Sequence, residues 1–406
     1  MTLLRNTRTI VLTGLAASFL AFTNPAPVEA ATQAELRKYE RDLAKYRKAY
    51  AKHEKKTDRY WAEIKRKRDL RRKLRRADKT LTLDHYVLSQ PPKYSGPERP
   101  KHPDPAPVTK KPPKKSTLPR SDDLRAAMRD LYGFKPTGAS ERDFKKAYAL
   151  EAKRYGISAE QVVGVYALET GGKGPFDLVS GEAITRNKKC KLVKRGGRPL
   201  STALGYFQLL NANTSSTLSE NFKGPKEERF STRLRAMADN EHGKRKRALR
   251  AKAKLLDRMV KDMNKAISRM NVKKNNWREF RALGKTKLGK AIHGLNLDVD
   301  IGPMIQMSKL AVVRNYAVRK NIENLTSDRL ELMNLVGYPR GALMLQPVAY
   351  KVPTANFVNA NEIRANRRVL GDKTVEESVA RIRRVIELRK GECGSQEFFR
   401  MFEKVG

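Results

Sequence analysis

SAEQVVGVYALET, Ser158 to Thr170, followed by Gly171 and Gly172, is the stretch on which the reading of the fold turns. Ser158 suits an N-cap, and Gln161 three residues on completes a capping box. The glycine pair supplies the stop, since Gly tolerates the left-handed conformation that ends helices. Between Glu160 and Glu169 the stretch carries no charge, in a chain of which 32% is charged, so the helix reads as buried. Val162, Val165 and Tyr166 precede Glu169 by seven, four and three residues and share its face. A carboxylate on an apolar face loses solvation, which raises its pKa, and the negative end of the helix pushes the same way. A carboxyl still protonated near neutral pH is what a general acid requires. Taken alone, such a Glu is more often a structural ion-pair partner, so its surroundings decide.

Upstream, Ser121 reads as the cap of DDLRAAMRDLY with Gly133 as its stop, and Ser140 as the cap of ERDFKKAYALEAKRY with Gly156 as its stop. No alternating strand pattern intervenes, so a mainly α domain is predicted. Residues 173–204 read as a long loop rich in Gly, Pro and basic residues. Ala203 to Thr214, low in charge, is predicted to line the interior. Residues 225–290 form a basic helical block whose Leu249, Leu256, Met259, Met263, Ile267 and Met270 make one apolar face, suited to packing rather than cofactor binding. Ile301 to Ile322 and Leu330 to Leu345 read as core helices. Thr374 and Glu377 form a capping box for a last helix to about Arg389, leaving 391–406 as a tail.

The chain has 406 residues and a net charge of +44, enough for one large domain or two ordinary ones. Residues 1–30 read as a secretory signal: Arg5 and Arg8, an apolar run from Thr9 to Thr23, then Val28-Glu29-Ala30 before cleavage at Ala31. A membrane anchor is the rival reading, but the run is short for a span and Asn24-Pro25 follows at once. No later stretch is apolar enough to cross a bilayer, so the mature chain is expected to be exported, periplasmic or envelope-associated. In an oxidising compartment Cys190 and Cys393 suggest one disulfide, two unpaired thiols being the alternative. His53, His85, His102, His242 and His293 lack ligand spacing, and neither a metal nor a cofactor is expected. Residues 31–89 hold a basic helix with a weak aromatic stripe (Tyr39, Tyr46, His53 and Tyr60, with Leu43, Tyr50 and Trp61 between), read as solvated rather than dimerising, with a polyanionic surface as its natural partner. Residues 90–120, rich in Pro and Lys, read as a stiff linker that holds this helix away from the 121–390 domain.

The ALETGG stretch, GYFQLL with Asn211 and Thr214, and MNLVG together resemble the Slt-type lytic transglycosylases, which share a fold with goose-type lysozyme. Glu169-Thr170 corresponds to that family's Glu-Ser, Gly205-Tyr206-Phe207-Gln208 with Thr214 to its Gly-Leu-Met-Gln and following Thr, and Met333-Asn334-Leu335-Val336-Gly337 loosely to its Tyr-Asn-x-Gly. The resemblance covers about residues 121–345, with a basic helical insertion at about 215–290. It departs from the compact members in the longer spacing from Glu169 to Gly205 and in the missing Tyr before Asn334. It implies a lysozyme-like domain acting on peptidoglycan glycan strands. Protonated Glu169 would protonate the oxygen between N-acetylmuramic acid and N-acetylglucosamine. Its carboxylate would then take the proton of the muramoyl C6 hydroxyl, which closes on C1 to leave a 1,6-anhydro end. Thr170, the Gly205 backbone, Gln208, Thr214 and Asn334 would bind substrate. Tyr206 and Phe207 would stack on sugar faces or pack inside. An ordinary glycosidase needs a second carboxylate. Asp177 and Glu182 are nearest in sequence; they sit in a Gly-rich loop and read as solvated, and either one facing Glu169 would permit inverting, lysozyme-like hydrolysis.

Two other classes fit parts of the chain. A non-enzymatic envelope-binding or scaffold protein would use the basic helix and linker for tethering to an anionic surface. A nucleic-acid binder would use the surplus of Lys and Arg, but no nucleic-acid motif accompanies the charge and the export signal opposes it, so no specific nucleic acid is expected.

Overall fold

The computed structural model describes residues 31–104, 118–187, 190–270 and 277–406. The signal expected over 1–30 and residues 105–117 of the expected linker lie outside the described residues. The described chain is mainly helical. It divides into a small unit, Met1–Glu54 with Tyr94–Lys110, and a large one, Lys55–Lys93 with Lys111–Gly406. Helix α1 (Gln33–Arg76) contributes its first part to the small unit and its second to the large one.

In the small unit the Pro-rich stretch is extended, as expected, but over 94–104 it is not a spacer. It lies along α1: Tyr94 stacks edge-on against Tyr46, Tyr50 and His53, His102 meets Tyr39 at 4.7 Å, and Asp104 accepts from the Ala31 amide at 2.6 Å. The weak aromatic stripe thus has its partner in the same chain. In the large unit one face of α1 is buried. Tyr60 and Ile64 are buried with Val87 and Ala355, Arg71 donates to the carbonyls of His85 and Asn356, and Tyr86 enters the main core. This second part of α1 therefore belongs to the same unit as residues 121–390, and not to a separate segment over 31–89 as expected.

Two hydrophobic clusters build the large unit. The first is formed by α3 (Glu141–Arg154), α4 (Ala159–Thr170), α10 (Gly302–Arg319), α11 (Ser327–Val336), α15 (Val375–Lys390) and α16 (Cys393–Val405), with the short α13 (Ala360–Ala365) and α14 (Arg367–Leu370) leading into α15. The second is formed by α2 (Ser121–Tyr132), α6 (Phe230–Asp239), α7 (Gly243–Arg269) and α9 (Lys287–Gly294) with Leu218 of α5 (Asn211–Lys223) and Leu283 of α8 (Trp277–Leu283). The basic block is thus a set of short and long helices whose apolar face is core. Leu249, Leu256, Met259 and Met263 are buried, and only Met270 at its end is exposed. Each such side chain, removed from water, contributes roughly 1.5–3 kcal/mol.

The capping signals at Ser140, Ser158 and Thr374 are realised, each side chain accepting from the third helical residue. Ser121 is instead the first helical residue: the amide of Arg120 finds the Asp123 carboxylate, and Ser121 is buried. Three other expectations are corrected. Residues 173–204 contain an antiparallel hairpin, β1 (Ala183–Arg186) with β2 (Leu192–Gly196), and isolated bridges join Val179, Leu204 and Leu209. The helix expected over Leu330–Leu345 breaks at Gly337, whose φ of 87° separates α11 from α12 (Tyr338–Met344). The expected tail after residue 390 is α16, whose buried Phe398 packs against Tyr148, Tyr166 and Tyr206. Its apolar Phe398, Met401 and Phe402, three and four residues apart, match helical spacing.

Candidate active site around Glu169

Helix α4 is almost wholly interior: Val162, Val163, Val165, Tyr166 and Ala167 have no exposed surface. That packing fixes where Glu169, near its C-terminal end, is placed. Gly171 and Gly172 both take positive φ and stop the helix. At Gly172 a Cβ would also stand 2.4 Å from the carbonyl oxygen of Arg389, so the chain leaves α4 hard against the end of α15. Cys190 and Cys393 are joined in a disulfide, 203 residues apart in sequence. Ser395 donates its amide to the Gly172 carbonyl at 3.2 Å, so bridge and hydrogen bond together tie the start of α16 to the loop that follows Glu169.

The Glu169 side chain, half-buried, hydrogen-bonds a second carboxyl, Glu331 of α11, which has no exposed surface. Burial lifts Glu169 from 4.5 to about 7, and the hydrogen bond with Glu331 partly opposes that rise. Glu331 is raised well above the usual carboxylate range, by burial first and then by the neighbouring charge of Glu169. Asn334, one turn on in α11, donates to Glu331 Oε2 at 3.4 Å. The buried Oε1 of Glu331 receives no hydrogen bond from an N–H or hydroxyl group of the described residues. Two carboxyl groups in contact bond only if one carries the proton, so the pair holds at least one proton through neutral pH and titrates as a unit.

Of the residues singled out in the sequence, Glu169 and Asn334 are thus joined, through Glu331. Glu331 was missed: Asp177 and Glu182 are near in sequence, whereas Glu331 lies in α11. Its signal was its position three residues before Asn334, which puts both on one helix face. Asp177 pairs with Arg125 at 3.8 Å, and Glu182 with Arg120 at 3.4 Å. The Glu182 side chain is 5% exposed, not solvated as expected.

Gly205-Tyr206-Phe207-Gln208 is a tight turn closed by paired Leu204–Leu209 backbone bonds. Gly205 needs its φ of 81°, and a Cβ there would stand 2.6 Å from Gln306 Nε2. Gln208 donates its side-chain amide to the carbonyls of Gly205 and Leu178, so it braces the turn. Tyr206 is fully buried, 5.1 Å from the Tyr166 ring of α4, with its hydroxyl on Glu141. Phe207 is buried against Tyr148. Both rings are therefore core, so of the two roles open to them interior packing is the one found, and sugar stacking is not. They set the turn against α4 one helical turn before Glu169. Thr170 donates to the Tyr166 carbonyl at 2.6 Å. Thr214 is buried in a separate polar network with His293 and Asn296, so it does not join the carboxyl pair. Burial lowers His293 from 6.5 to about 4, which makes it a neutral structural group at neutral pH.

Among the described residues no group of three or more His, Cys, Asp or Glu is placed to hold a metal ion, and no helix is long and apolar enough to cross a membrane. Glu169 and Glu331 line none of the four cavities described in the molecule. Comparison of the chain with known protein families, with curated proteins and with solved structures finds no match to any of them.

Proposed function

We propose that this protein is a peptidoglycan lytic transglycosylase with Glu169 as its single acid and base. The observation that carries the reading is the hydrogen-bonded Glu169–Glu331 pair. Retaining glycosidases hold their two carboxyls about 5–5.5 Å apart and inverting ones about 6.5–9.5 Å, so a pair in direct contact suits neither arrangement. It suits a mechanism in which one carboxyl gives a proton and takes one back. With its pKa near 7, Glu169 is protonated in a large fraction of molecules at neutral pH and can protonate the glycosidic oxygen between N-acetylmuramic acid and N-acetylglucosamine. Glu331, holding its own proton, donates to the carboxylate so formed and steadies it until the muramoyl C6 hydroxyl surrenders its proton and closes on C1. Asn334 orients Glu331. Further support comes from the order of elements: a buried helix ending in Glu, a small β region, and a Gly-x-x-Gln turn packed back on that helix. The disulfide accords with export.

A second reading, a non-enzymatic envelope-binding protein, is favoured by the interior placement of Tyr206 and Phe207. Digestion of purified sacculi followed by mass spectrometry separates the two. Anhydro-muropeptides from the wild type, absent with Glu169→Gln, are expected. Reducing-end products would make the protein a hydrolase; no products, with retention on sacculi, would establish the binding protein.

A further inference from the structure

The C-terminal half of α1 carries Arg68, Arg71, Arg72 and Arg75, which lie on one face at helical spacing of three and four residues. They line a cavity of about 390 Å³ with Arg340 of α12. One carboxylate, Glu362, shares the lining, and Arg340 already engages it at 2.7 Å. Arg72 reaches Asp69 at 3.3 Å along the helix. Among the described residues Arg68, Arg71 and Arg75 form no ion pair with a carboxylate. Arg71, 2% exposed, gives its two Nη groups to the carbonyls of His85 and Asn356. Arg68 places Nε on the same Asn356 carbonyl at 3.4 Å, while its Nη2 is buried with no acceptor.

Like charges three and four residues apart on a helix repel, and a buried donor without an acceptor is costly. Evenly spread surface charge would avoid both. The main-chain carbonyl of Asn356 holds two of the guanidinium groups in place, so the cluster is organised before any ligand arrives. Burial, and the neighbouring guanidinium groups, push Arg68, Arg71 and Arg75 below the usual arginine range, a penalty that an anion in the cavity would relieve. Planar guanidinium forks match the oxygens of a tetrahedral oxyanion, and five of them against one carboxylate call for more than a single negative charge.

We propose that this cavity binds a multiply charged phosphoryl group, with Arg68 Nη2 as its innermost donor. The site does not depend on the activity assigned to Glu169. The phosphoryl group can be that of a soluble phosphate compound or of a phospholipid headgroup.

The test is titration of the full-length mature protein with inorganic pyrophosphate at physiological salt by calorimetry, and in parallel co-sedimentation with phosphatidic acid vesicles against phosphatidylcholine vesicles. Arg68→Gln and Arg75→Gln are compared with the wild type and with Lys246→Gln, a change of equal charge on α7. Saturable binding to either probe that falls at least tenfold in Arg68→Gln and stays unchanged in Lys246→Gln is expected; the probe bound distinguishes soluble phosphate from headgroup. Because Arg68 is half-buried, circular dichroism and thermal melts accompany each variant. Arg75→Gln, with Arg75 exposed on the cavity rim, is expected to weaken binding by at least threefold should Arg68→Gln misfold. Absence of saturable binding to both probes, or equal losses in the Lys246 and arginine variants, would overturn the proposal.

Discussion

At the scale of the residue, the Glu169–Glu331 pair carries opposite demands of stability and chemistry. Both carboxyls have folded-state pKa values above their ordinary 4.5. Below about pH 4.5 the folded and unfolded forms are both protonated, and the pair's favourable contribution is complete. As pH climbs through 4.5 the unfolded carboxyls ionise while the folded ones do not, so stability is lost. For Glu169 the loss levels off above about pH 7, at about 3 kcal/mol for the whole shift. For Glu331 it continues higher. Glu331→Gln replaces the proton donor with an amide that cannot ionise and still faces Glu169 and Asn334. The variant is expected to match the wild type in unfolding free energy at pH 4.5 and to exceed it at pH 7.5, because only the wild type loses stability as its unfolded Glu331 carboxyl ionises. Equal midpoints at pH 7.5 would mean that Glu331 ionises freely. In the proposed mechanism Glu331→Gln keeps the hydrogen bond to the Glu169 carboxylate and retains turnover, whereas Glu169→Gln is inert.

At the scale of the element, the C-terminal segment is the part whose importance was least visible in the sequence. Helix α16 packs on α3 and α4, and Phe398 fills the space among Tyr148, Tyr166 and Tyr206. Phe398→Ala leaves a cavity directly behind the helix that bears Glu169, and a loss of about 3–5 kcal/mol in urea unfolding is expected. A loss under 1 kcal/mol would show that α16 docks only loosely. The helices around Glu169 were legible because their boundaries are local chemistry: Ser140, Ser158 and Thr374 need only the residue three places on. What escaped was non-local. The β1–β2 hairpin is rich in charge and lacks clean alternation, so it read as loop. The stretch after Pro92 read as a spacer because its composition dominates, although Tyr94 and His102 were there to meet the α1 stripe. Glu331 was hidden for the same reason, since only folding brings α11 to the end of α4. For Tyr206 and Phe207 the sequence left sugar stacking and interior packing both open, and the core around Tyr148 had the stronger claim on them.

At the scale of the whole molecule, the Cys190–Cys393 bridge joins the loop after α4 to the last helix and so encloses half the chain. Of the described surface much is basic, and a chain of net charge +44 repels itself more in the folded than in the expanded form. The bridge acts on the other side of that balance. It restricts the unfolded chain, and a closed loop of 203 residues is worth about 5 kcal/mol in the chain-entropy account. Replacing both cysteines by Ser is therefore expected to lower the unfolding free energy by that amount at low salt, and with it the urea midpoint. The m-value is expected to rise, because the unfolded chain without its cross-link exposes more surface. Raising salt screens the self-repulsion and is expected to lift the midpoints of both proteins together, leaving their difference nearly constant. A difference that vanishes with salt would mean that the bridge opposes local repulsion around the basic β1–β2 hairpin. A difference that persists while the m-value rises would place its action in the unfolded state, with the geometry behind Glu169 held by packing alone.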